Sequence, residues 1–464
     1  MRFVANLRQE TIDAFGAHGI QPAAYLLSSH RASPVNLRSA AEVRALDIQL
    51  FADNGTKPMI DATVRAFRGP AGEIRQEVLD IRRKLDRVPR GADVPDSLRS
   101  RASSLADEVV SHTLALSENV DTDELLDVQL AMDPTDIVAK EDFGTACLIA
   151  LDLDRETTGW RVSRFNTRNS RSLRLWETIQ NDPRCANVRV HAVLSAMDYN
   201  TARAAGRLAA LKGVKHAALG LAGIMLDPSA VDFHVFGTAT LLFERPAPRR
   251  YVRLAQILRG IEDGYHSAGK QLSTFHCLGL GAPPLLPIPP AALNESTTIT
   301  TDATSPIHDA ARDKVLYDLE LNGHRANGRR IVERILNGGD WPFLSPFTQD
   351  FRARFGHDPA RARDFWNEQG QPAVTEELLR DPSDLTESLP LFSEAIESVR
   401  LAASRARIAH NHWVLGELCA RFQSGTRRRE TSLTAIQQLI DMSTSSTTTR
   451  GLNAAAIVLG HGRE

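Results

Sequence analysis

No apolar run in this chain approaches the length of a membrane span. Its opening residues, MRFVANLRQETIDAF, lack the long apolar core of a secretory leader. Cysteine is scarce: Cys147, Cys185, Cys277 and Cys419 stand far apart, form no C-x-x-C pair and frame no disulfide scaffold. That usage suits a reducing cytoplasm. Charge of one sign is lacking too. The 55 Lys and Arg against 57 Asp and Glu leave a formal net charge of −2, so any nucleic-acid contact must rest on a local patch. No G-x-G-x-x-G follows a first strand, which removes support for a dinucleotide-binding fold.

What the 464 residues do contain is alternation. The strand-like runs AAYLLSS, DIQLFADNG, TDIVA, ACLIALDLD, VRVHAVLS, VKHAALGLA, QLSTFHCLGLG and TTITTD are separated by stretches of helical period such as AGEIRQEVLDIRRKLDRV, NTARAAGRLAALKG and RLAQILRGIEDGYHSAG. Parallel strands covered by helices follow from this pattern, and about eight strands before residue 305 suit a closed (β/α)8 barrel of the TIM type better than an open sheet. The expected organisation is a barrel over 1–310 with a helical insertion near 70–130, a mostly helical C-terminal region over 311–440, and a mobile tail from 441, where STSSTTTR is low in complexity.

Polar residues stand where these strands stop. Asp53 ends a strand before an Asn-Gly turn in LFADNG, and Asp142 follows a strand in DIVAKED. Gly220 closes HAALGLAG, a tight glycine turn follows His276 in HCLGLGAP, and Asp302 ends the β-branched run of TTDATSP. An Asx-turn cap would account for Asp302, and a helix N-cap for Asp142, without any chemistry. At the C-terminal rim of a barrel the same carboxylates would instead face an active site.

Taken in order, with RSLRLWE (171–177) read as the start of a helix, these strand ends resemble the tRNA-guanine transglycosylase superfamily, and most of all its DNA-acting branch, the DpdA-like 7-deazaguanine transglycosylases. The resemblance spans about 20–310 and, weakly, 404–423, where ARIAHNHWVLGELCARF looks like the family's last helix. Two departures separate the chain from the tRNA enzymes. Their zinc-binding C-x-C-x2-C cluster has no counterpart, since no cysteine lies between Cys277 and Cys419, so no zinc or other cofactor is expected. Their Asp-Ser-Gly-Gly-Phe-Gln loop is replaced by Asp53-Asn54-Gly55-Thr56, and Ser195 lies nearest the position of their base-sensing glutamine.

The resemblance implies an exchange of guanine in DNA for a 7-deazaguanine such as preQ0, with tRNA as the alternative polymer and a non-catalytic nucleic-acid-binding subunit as a second alternative. Asp302 would be the nucleophile on C1′ and Asp53 the general acid and base. Asp142 would accept hydrogen bonds from the guanine edge, and the backbone N–H groups of Gly220 and Leu221 would meet O6. Ser195 and His276 would flank the ligand. Other proteins of a DNA-modification system are possible partners, and oligomeric state is left open.

Arg161, Arg164, Arg168, Arg171 and Arg174 would share one face of a continuous helix and could track phosphates, or could form a solvated face with local ion pairs. TRRRE (426–430) is a second basic cluster open to both readings. Trp160 and Phe165 are expected in the core. AHNHW (409–413) lacks the hairpin of an HNH nuclease, so His410 is expected to pack the terminal helix. His308, His324, His410 and Cys419 have no spacing that argues for a metal, and the proline-rich LGAPPLLPIPP (280–290) is expected to form a rigid βα connection.

Overall fold

The computed structural model describes residues 1–311, 315–319, 323–327 and 389–460, apart from 88, 228, 237, 238, 424, 426 and 444. Eight parallel strands close into a barrel: β1 (Arg2–Asn6), β2 (Ala24–Ser28), β3 (Gln49–Asp53), β4 (Asp136–Val138), β5 (Arg189–Leu194), β6 (His216–Gly220), β9 (Thr274–Leu278) and β10 (Thr298–Asp302). They follow one another around the ring in chain order, and β10 pairs with β1 to close it, with Val4 opposite Asp302. An antiparallel hairpin, β7 (Ala230–Phe236) and β8 (Ala239–Pro248), is inserted between β6 and β9.

The outer layer begins with α1 (Gln9–His18) and α2 (Pro34–Ala45). Between β3 and β4 it expands into α3 (Lys57–Leu85), α4 (Asp96–Glu118) and α5 (Thr122–Leu130), which are the expected helical insertion. After β4 come α6 (Gly144–Ala150), α7 (Arg155–Thr158) and α8 (Val162–Gln180), then α9 (Tyr199–Leu211), α10 (Ala222–Leu226), α11 (Arg249–Ser267), α12 (Ile288–Ala292) and α13 (Ser305–Ala311). A small hairpin, β11 (Val315–Asp318) and β12 (His324–Asn327), leads toward α14 (Leu389–Ala420), α15 (Arg428–Met442) and α16 (Ser446–Gly460). No helix among the described residues is long and apolar enough to cross a membrane.

Three sequence expectations are corrected. ACLIALDLD is not a strand: Gly144–Ala150 is helical, and the eighth strand is the N-terminal RFVAN. A short apolar run carries no period that separates a buried strand from a buried helix. RSLRLWE lies inside α8, which already starts at Val162. The tail expected to be mobile is helical over Ser446–Gly460 and buries Leu452, Ala455 and Val458. The expected helices within 328–388 lie outside the described residues.

Polar residues near the N-terminal ends of three strands lock the barrel floor. Asp136 accepts from His191 Nε2 (2.8 Å), Arg189 Nη2 (2.7 Å) and Gln49 Nε2 (2.8 Å). Burial pushes its carboxyl up, but Arg189 and His191 outweigh this and hold it well below the usual range. Above them the interior is filled by Val4, Leu26, Phe51, Val138, Val193, Ala218 and Leu278. The barrel is therefore packed rather than open, and any ligand must enter at the C-terminal end.

AHNHW serves α14 as a docking strip. Asn411 accepts from the backbone N–H of Tyr317 (3.0 Å) and donates to Val315 O (2.9 Å), while His410 Nε2 meets Tyr317 O (2.8 Å). The side chains thus pair with β11 as a neighbouring strand would, and His410 packs the terminal helix as expected.

Candidate active site

Asp53 and Asp302 end strands that lie on either side of β1 and β2, and each is fixed by its neighbours in the sheet. Asp302 is 7% exposed, with Oδ1 accepting from the backbone N–H of Gly279 (2.9 Å) and Oδ2 from Asn6 Nδ2 (3.3 Å). Gly279 presents that N–H from a left-handed conformation (φ 82°), which a side chain would disfavour. His276 Nε2 lies 3.4 Å from the same Oδ1, while its Nδ1 pairs with Thr300 Oγ1 at 2.8 Å. All three contacts hold the carboxyl group aimed in one direction.

Asp53 is treated differently. Ser28, opposite it in the β2–β3 register, donates to Oδ2 at 2.6 Å, and the Gly55 N–H adds a longer contact at 3.3 Å. Burial pushes its carboxyl up, Ser28 pulls against that, and the field of Asp302 raises it further. Asp53 is thus biased toward holding a proton.

A third carboxyl completes the group. Glu141 is 6% exposed, and burial followed by the charge of Asp53 pushes it up to about 8. Asn54 and Thr56 oppose this through hydrogen bonds. Across from it lies Gly220, where an added β-carbon would sit 3.8 Å from Glu141 Oε1. The Asn-Gly-Thr turn after β3 therefore serves two acids: Gly55 touches Asp53, and Asn54 and Thr56 support Glu141.

The structure takes Asp142 away from the role expected of it. Its Oδ1 accepts from the Gly144 N–H at the start of α6 (3.1 Å) and from Arg168 Nη1 (3.2 Å), and its N–H donates to Ser172. Glu141 thus meets the mouth, while Asp142 turns to the first N–H of α6 and to Arg168. The Leu221 N–H is likewise taken, donating to Leu278 O at 3.1 Å, and so is not free for a ligand. Ser195 lies just beyond β5, its backbone clamped on both sides by Asn169. His276 is fully buried under Asp302 and supports the nucleophile candidate instead of flanking a ligand.

The arginine stripe of α8 is largely neutralised. Arg164 pairs with Asp107 (2.8 Å), Arg168 with Asp142 and Arg171 with Glu118 (2.8 Å), while Arg161 and Arg174 stay exposed. Arg164 also stacks over buried Trp160. In the second cluster Arg428 is buried and donates to Thr297 O (2.6 Å), which ties α15 to the barrel, and Arg429 donates to Leu459 O (2.8 Å), which ties α15 to α16. No group of metal-binding side chains occurs among the described residues. A separate cleft beside α3 is lined by Arg75, Arg249, Arg253, Asp152 and Asp154, whose charges pair with one another.

Sequence reasoning missed Asn6, Ser28 and Glu141. The first two carried a readable signal, since each is a polar residue ending an apolar strand, as Asp53 is. Glu141 carried none that set it above Asp142. No family model matches this chain, and no curated protein matches it.

Proposed function

We propose that this chain is a base-exchange transglycosylase that replaces guanine in DNA with a 7-deazaguanine of the preQ0 type. The observation that carries the reading is the pair of carboxylates at the barrel mouth: Asp302 held by the Gly279 N–H, Asn6 and His276, and Asp53 half-buried and pushed toward its protonated form. Exchange of a base on an intact sugar needs both kinds. In the first half-reaction an Asp302 oxygen attacks C1′, the C1′–N9 bond breaks, its electron pair stays with guanine, and Asp53 supplies the proton. In the second, Asp53 removes the N9 proton of the incoming base, which attacks C1′ and releases Asp302. The cycle is redox-neutral and returns every proton, so it calls for no cofactor.

Glu141 supplies the recognition first assigned to Asp142. A carboxyl near pKa 8 is mostly neutral in the empty site, and it ionises readily once the N1–H and exocyclic amine of a guanine-like base face it. Adenine carries an acceptor at N1 in place of that donor, so it cannot pair with the ionised form of Glu141 through two hydrogen bonds as guanine does. Gly220 leaves room for the ring beside it. A duplex hides both C1′ and this edge, so the target nucleotide must leave the stack. The four cysteines are free and buried, in keeping with action in the cytoplasm, where other proteins of a modification system could open the strand.

The test is incorporation of labelled preQ0 into guanine-containing DNA and, separately, into tRNA. The intact protein is expected to label DNA, and Asp302→Ala to reduce labelling roughly 10⁴-fold or more while abolishing a covalent protein–DNA adduct. Label in tRNA alone would move the substrate to that polymer. Absence of both label and adduct would support a non-catalytic barrel.

A further inference from the structure

Positive charge without a paired acid among the described residues is found off α8 as well, at the mouth of the barrel. Arg8 leaves β1 two residues after Asn6 and caps α1, and His30 and Arg31 form the turn after β2. All three stand on the C-terminal rim, above the strands that carry Asn6 and Ser28. The Arg8 and Arg31 guanidiniums make no ion pair or side-chain hydrogen bond among the described residues, and Arg8 Nε is buried without a partner. They are close enough for Arg31 to depress the Arg8 guanidinium, after burial, and for both to depress His30. Glu10 is the acid that opposes this, and it acts on Arg8 more weakly than Arg31 does. His30 is exposed, and its Nδ1 lies 2.9 Å from Ser28 Oγ, which donates to Asp53 at 2.6 Å.

We propose that Arg8, His30 and Arg31 form a phosphate site that grips the phosphodiester beside the target nucleotide of a DNA strand. The proposal rests on the transglycosylase reading and deepens it. Two guanidiniums that follow neighbouring strands, with no acid in an ion pair with either among the described residues, repel each other, unlike Arg164, Arg168, Arg171 and Arg189, each of which has an acid. An anion removes that repulsion. A nucleotide whose C1′ meets Asp302 must place its phosphates one sugar away, on this rim. Guanidinium suits phosphate oxygens through paired N–H donors, and His30 adds a ring nitrogen beside them. The contact orients the sugar without reading sequence, which is left to the base pocket. Phosphodiester chemistry is common to DNA and RNA, so both polymers belong in the test.

The full chain is titrated with a fluorescent single-stranded DNA oligonucleotide containing one guanine, and with the RNA of the same sequence, by anisotropy at several salt concentrations. A parallel calorimetric titration uses the free base preQ0. Arg8→Ala and Arg31→Ala are each expected to weaken oligonucleotide binding about 5–10-fold and to lower the salt slope by about one. Arg31→Lys is expected to keep the slope, and base binding to stay unchanged in every variant. The polymer whose slope falls is the one gripped, and DNA is expected. Unchanged affinity and slope in both alanine variants would overturn the phosphate site, as would a matching loss of base binding, which would mean a damaged pocket. If phosphate dependence holds and preQ0 fails to bind the intact protein, the phosphate site stands and the base-exchange reading falls.

Discussion

Glu141 is the residue at which function and stability pull apart. Its folded-state pKa of about 8 lies above the ordinary 4.5, so from about 4.5 upward the unfolded chain ionises where the folded chain still holds its proton. Stability is therefore lost as pH rises between those values. Glu141→Gln removes the titration and is expected to raise the melting temperature, by little near pH 4 and most above pH 8, where the gain reaches a few kcal/mol at most. Thermal denaturation across that range checks it, and a difference independent of pH would contradict the assignment. Base binding should be lost in the same variant. His276 offers a second discriminating substitution. His276→Phe keeps an aromatic ring stacked on Phe51 and removes the contact to Asp302. Formation of the covalent adduct is expected to slow by up to roughly 10²-fold with base affinity unchanged. A fall in affinity would instead make His276 part of the ligand pocket.

Among the elements, α9 and α11 approach closely, and glycine permits it. A β-carbon at Gly206 would overlap the Ile261 carbonyl, one at Gly264 the Arg203 carbonyl, and one at Gly260 would lie 2.6 Å from Tyr199 O. These obstacles are backbone, which cannot rotate aside. Gly264→Ala is expected to destabilise the fold by about 1–3 kcal/mol, read as a shift in the denaturant midpoint with the slope preserved. An unchanged midpoint would show that the two helices can separate freely.

On the scale of the whole molecule, the C-terminal helices close the barrel wall. Arg259 of α11 is 1% exposed and donates to the carbonyls of Val458 (3.0 Å) and Leu459 (3.3 Å) at the end of α16. Those carbonyls are among the last of a helix and have no partner within it. Ending the chain after residue 442 would expose the faces of α11 that α16 covers and leave Arg259 a buried cation short of acceptors. A loss of about 3–5 kcal/mol or more is expected, with aggregation on expression. A soluble truncated protein with an unchanged melting temperature would overturn this account of α16.

The sequence by itself determined the barrel, because strand and helix periods alternate and seven of its eight strands are legible as apolar runs, the N-terminal RFVAN being the exception. It also marked Asp53 and Asp302, since an acid ending an apolar strand is conspicuous at the level of one element. It could not separate Glu141 from Asp142, because which of two adjacent acids turns inward depends on the helix that Asp142 caps and on Arg168 from α8. Nor could it say which arginines are free. Five spaced arginines look like a phosphate track in one dimension, yet the acids that pair three of them come from α4 and from the turn after β4. Arg8 and Arg31 carry no pattern at all, and they meet only because β1 and β2 are neighbours in the ring. Pairings across the fold were decided by the tertiary structure alone, since charge neutralisation depends on distance in space, which chain order does not encode.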